Sequence, residues 1–61
     1  MILEISAEYA PPLGDVRDLS AGDELILWDG WRQRSDWIRY LAAAAHAMGR
    51  GCVVRQGADH G

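Results

Sequence analysis

The chain has 61 residues, with six arginines, no lysine, nine acidic residues, a net charge of −3 and one cysteine. A chain this short makes a single domain that buries only about 60% of the surface its unfolded form exposes. One cysteine forms no internal disulfide, and the acidic balance disfavours general binding to nucleic acid or to anionic membranes. No apolar run reaches the roughly 18 residues of a membrane span, and no basic-plus-apolar leader opens the chain. A cytoplasmic protein is the expectation.

Residues 2–9 alternate, with Leu3, Ile5, Ala7 and Tyr9 on one side and Glu4, Ser6 and Glu8 on the other. Period two predicts a half-buried strand. Pro11 and Pro12 end it, because neither has an N–H for a ladder. Residues 10–23 then read as loop, in which Leu13, Val16 and Leu19 either make one helical turn or pin the loop to the core. Glu24 to Trp28 is a second strand, and its continuous Leu25-Ile26-Leu27 run suggests a central one, buried on both faces. Asp29-Gly30 is a turn signal.

The most regular stretch is residues 35–49, predicted as the main helix. Ser35 is the expected N-cap, Asp36 complements the positive end of the macrodipole, and Gly49 suits the left-handed residue after the last turn. At 100° per residue, Trp37, Leu41, Ala44, Ala45 and Met48 form the expected core stripe, with Arg39, Ala43 and His46 opposite. Cys52 to Gln56 is a short third strand, and residues 57–61 read as a frayed tail. The expected fold class is α/β (α+β): a β-β-α-β domain whose three-stranded sheet is covered on one face by a single helix. The link from the second strand through the helix to the third suits a right-handed crossover.

Catalytic and cofactor chemistry find no foothold. His46, His60 and Cys52 lack the paired spacing of zinc ligands. Cys52 in a Val-rich strand reads as a small buried hydrophobe. Gly49-Arg50-Gly51 follows a helix instead of opening one, the wrong polarity for an anion cradle. No catalytic residue, metal or cofactor is expected.

Charge is unevenly spread. Residues 1–30 carry Glu4, Glu8, Asp15, Asp18, Asp23, Glu24 and Asp29 against Arg17 alone, a net of −6, whereas residues 31–61 carry +3. Glu4 and Glu8 are expected on the outward face of the first strand, with the five other acids in loops around the sheet. Carboxylates on one surface can imitate a phosphate backbone and occupy a basic groove. A second pattern is the segment 28–40, where Trp28, Trp31, Arg32, Arg34, Trp37, Arg39 and Tyr40 interleave rings and cations, as single-strand binders do.

In its size, its Arg-only basic complement and its compact α/β pattern, the whole chain resembles the small, acidic, cofactor-free anti-CRISPR inhibitors made by phages and mobile elements, type I-C inhibitors among them. The resemblance implies a stoichiometric inhibitor that binds a Cas protein or surveillance complex in the bacterial host and blocks DNA recognition or cleavage. It carries over no residue roles. The seven acids named above are the partner-binding candidates from the charge pattern, and DNA mimicry would turn them toward the DNA channel. The alternative is a small nucleic-acid-binding or regulatory protein using segment 28–40, and a third reading is a subunit folded only within a larger assembly.

Overall fold

A computed structural model of the chain describes residues 1–58. In order it contains β1 (Ile2–Ile5), a short helix α1 (Leu13–Arg17), β2 (Glu24–Trp28), a 3-10 turn (Trp31–Gln33), the main helix α2 (Trp37–Gly49) and β3 (Val53–Gly57). The three strands lie in the order β1-β2-β3 and both neighbouring pairs are parallel. The mixed α/β architecture, a three-stranded sheet with one main helix, is as expected, and β2 is the central strand with the expected bounds. Strand direction is the feature that the alternation of residues leaves open.

Both crossovers step the same way across the sheet, and two crossovers of one hand place their helices on the same face. Burial agrees. Ile5, Leu25 and Leu27 point under the helices and join Val16, Leu19, Tyr40, Ala43, Ala44 and Ala47 in one core, with Leu3, Leu13 and Val54 packed against it. The alternate positions Ile2, Glu4, Glu24, Ile26, Trp28, Val53, Arg55 and Gly57 form the opposite face. Among the described residues no element covers that face. β2 is therefore buried on one side and only half-buried on the other, not buried on both as its apolar run suggests.

Four local expectations are corrected. The first strand stops at Ile5, not at Tyr9, because Ser6 turns the chain. Its N–H donates to the Tyr9 carbonyl at 2.8 Å and its hydroxyl accepts from the Tyr9 N–H at 3.1 Å. Glu8 therefore leaves the strand face, and Tyr9 is exposed. The α2 N-cap is Asp36 and not Ser35, and neither side chain caps a backbone N–H. The Arg34 guanidinium holds the Asp36 carboxylate instead, at 2.9 and 3.3 Å. Gly49 is still helical, and the left-handed residue is Gly51, with φ of 101°. Gly51 N–H closes on the Met48 carbonyl and Cys52 N–H on that of Ala47, so the last turn is satisfied from two residues further on. Finally, Gly57 belongs to β3 and accepts from the Asp29 N–H at 3.0 Å. The rest of the expected tail, beyond the exposed Ala58, lies outside the described residues.

The buried stripe of α2 is also rotated. Tyr40, Ala43, Ala44 and Ala47 face the core, while Ile38, Leu41 and Met48 are 58%, 40% and 56% exposed. The alanines lie where α2 meets α1 and the sheet. Small side chains permit that close approach, and the bulkier residues are displaced outward.

Candidate interaction surface

The seven acidic candidates fall into two groups. Five gather around β1. Glu4 lies on it, and Glu24 is its ladder neighbour opposite Ile2. Asp23 bonds the Met1 amine at 3.1 Å. Asp15 and Asp18 line a cleft of about 340 Å³ with Asp23, Met1 and Leu3. The remaining two are elsewhere, Glu8 in the loop after β1 and Asp29 in the turn after β2, both exposed. The expected Glu4–Glu8 pair on one strand face does not form, because β1 ends between them.

Pairing separates the five further. Glu4 Oε1 accepts from the Trp28 indole N–H at 2.8 Å, and Glu24 forms an ion pair with Arg55 at 2.7 Å. The Asp23 carboxyl is held below its ordinary range, first by the Ser20 backbone N–H at 3.0 Å and then by the Met1 ammonium. Asp15 and Asp18 are exposed and make no ion pair among the described residues. Arg17, Arg39 and His46 line a separate groove between α1 and α2. The acidic edge and the basic groove thus occupy different parts of the surface.

The aromatic–arginine segment is spent on the fold itself. Trp31 is only 6% exposed and meets Trp37 edge-on, ring centres 6.0 Å apart. The Arg32 guanidinium lies over both rings, at 5.6 and 5.5 Å, and Arg34 lies over Tyr40 at 5.6 Å while holding Asp36. Such stacking desolvates ring faces that a nucleic-acid base would need. The Tyr40 hydroxyl donates to the Pro11 carbonyl, tying α2 to the loop before α1.

A cleft of about 290 Å³ opens at the carboxyl ends of β2 and β3, lined by Leu27, Asp29, Gly30, Trp31, Arg32 and Gln56. Ligands favour that location in open α/β sheets, but its lining has no nucleophile or paired acid and base. Cys52 is buried, and its thiol is pushed up by desolvation and, secondarily, by the Asp23 and Glu24 charges. A thiol so placed is a poor nucleophile. Among the described residues no group of three or more His, Cys, Asp or Glu is positioned to hold a metal ion, and no helix is long and apolar enough to cross a membrane.

Position and chemistry together describe a small α/β domain whose prominent features are surfaces: an acidic edge at β1 and an open sheet face. No protein-family model matches the chain, and no curated protein or solved structure is significantly similar to it.

Proposed function

We propose that this protein is a non-enzymatic inhibitor that binds a bacterial CRISPR-Cas surveillance complex, or its nuclease, and blocks binding or cleavage of target DNA. It acts stoichiometrically in the host cytoplasm. The observation that carries the reading is the acidic edge, where Asp15, Asp18 and Asp23 share one cleft beside β1 and the first two are unpaired among the described residues. Free carboxylates of this kind match a groove built for phosphates better than carboxylates already neutralised within the fold.

The binding residues are therefore Asp15 and Asp18, supported by Asp23, with Glu4 and Glu24 at the flank. Glu8 and Asp29 contribute long-range charge only. The test is a gel-shift titration of labelled target DNA with a type I-C surveillance complex and increasing inhibitor. Loss of the complex–DNA band, with free DNA unshifted by the inhibitor alone, is expected. A shift of free DNA would instead assign the activity to direct nucleic-acid binding by segment 28–40.

A further inference from the structure

The open face of the sheet carries the pattern of a self-complementary interface. Three parallel strands with one face uncovered are unusual, since purely parallel sheets are ordinarily covered on both sides. The face is ruled into rows by the ladder register. One row is Ile2–Glu24–Val53, the next is Glu4–Ile26–Arg55, and beyond it Trp28 lies across Gly57 with its indole N–H on Glu4, each row read from β1 to β3. Ile2 and Val53 are 60% and 57% exposed, and Ile26 at the centre is half-buried.

Charge selects the occupant. In the second row an acid stands on β1, an apolar residue on β2 and a base on β3. Two sheets packed face to face lie about 10 Å apart with strands within about 30° of alignment. A two-fold axis parallel to β2 and above Ile26 lays β1 of each copy over β3 of the other. Glu4 then faces Arg55 of the second copy, Ile2 faces Val53, and Ile26 faces Ile26, with every contact made twice. An axis across the strands would instead set Glu4 against Glu4 and Arg55 against Arg55. The only like-charge meeting in the favoured arrangement is Glu24 with Glu24, and each is held by its own Arg55 at 2.7 Å.

We propose that the protein forms a homodimer through this sheet face, with its two-fold axis along β2 at Ile26. The dimer buries the apolar rows together with Glu4 and Glu24, the flank of the acidic edge, and leaves Asp15 and Asp18 of each copy uncovered. Three short strands make a small interface, of the size class of weak complexes, so association in the micromolar range is expected.

Sedimentation equilibrium of the full chain from micromolar to millimolar concentration tests it. A reversible monomer–dimer equilibrium is expected. Ile26→Lys, which sets two like charges on the axis, should weaken association roughly tenfold or more. Glu4→Gln should weaken it less, and Glu24→Gln should strengthen it. Because Ile26→Lys can also disturb the fold, Ile26→Cys supplies a second reading: a short bismaleimide should link two such thiols across the axis while the buried Cys52 stays unreacted. A chain that stays monomeric throughout overturns the proposal. So does a dimer that Ile26→Lys leaves intact, or one that dissociates on Leu41→Lys, which would place the contact on the exposed side of α2.

Discussion

Single residues on the open face are fixed by one aromatic ring. The Trp28 indole reaches Glu4 on β1 through its N–H and lies across Gly57 on β3. A Cβ at Gly57 would fall 2.3 Å from Trp28 Cε3, so any side chain there must push the ring away and break its bond to Glu4. Gly57→Ala is expected to cost about 1–3 kcal/mol, as overpacking does, read from the urea midpoint. Gly51 is constrained twice, by φ of 101° and by Ala21 Cβ, 3.0 Å from where its own Cβ would be. Asp23 and Asp36 are both held below the ordinary carboxylate range, Asp23 first by the Ser20 N–H and Asp36 by the Arg34 guanidinium. Their folded pKa is depressed, so their contribution to stability is fully present above the unfolded value near 3.9. It is lost as the pH falls through the lower folded values. Urea midpoints should therefore decline on acidification below about pH 4, and Asp36→Asn should flatten that decline.

At the scale of elements, α2 shows what patterning reveals and what it hides. Its existence and extent are legible from the Ala run and the flanking Ser, Asp and Gly. Its buried face is not, because alanine fits a core and a surface equally well, and the large residues Trp37, Leu41 and Met48 draw the stripe toward themselves. Close packing against α1 and the sheet reverses that choice. Ala47, fully buried, and Ala45, exposed, distinguish the two orientations directly. Ala47→Leu is expected to cost about 1–3 kcal/mol and Ala45→Leu less than about 0.5 kcal/mol, measured by chemical denaturation. The first strand was over-long in its alternation for a related reason: Ser6 can serve a ladder or bond its own backbone, and period two does not distinguish these. β2 has no such competitor and its bounds are legible to the residue. The direction of β1 against β2 lies beyond residue patterning, since it depends on α1, whose five residues are too few to announce a crossover.

Across the whole molecule, the contrast between an acidic N-terminal half and a basic C-terminal half survives folding only in part. Arg55 crosses to Glu24 and closes one pair. Asp15, Asp18 and Asp23 remain together on one edge, while Arg17 and Arg39 line another groove. The acidic surface was legible as a set of residues but not as a grouping, because sequence separates Asp15 and Asp18 from the β1 residues they join in space. The segment 28–40 was equally visible as a pattern, but Trp31, Trp37 and Tyr40 turn toward Arg32 and Arg34, while Trp28 is engaged by Glu4 and Arg39 lines the α1–α2 groove. A domain of this size with one sheet face open also gains stability from self-association. Its thermal midpoint is therefore expected to rise with protein concentration, and calorimetry across a concentration series would reveal a flat response if no dimer forms.

The inhibitor reading meets its most direct test in one titration, run with the native chain and with the Asp15→Asn, Asp18→Asn double variant. Both side chains are exposed and outside the ion pairs described above, so circular dichroism should show the fold retained. The concentration needed to displace labelled DNA from the type I-C surveillance complex should rise by roughly tenfold or more for the variant, with the thermal midpoint nearly unchanged. Equal displacement by the two proteins would contradict an acidic edge that occupies the DNA channel, and failure of the native chain to affect binding or cleavage would contradict the inhibitor itself.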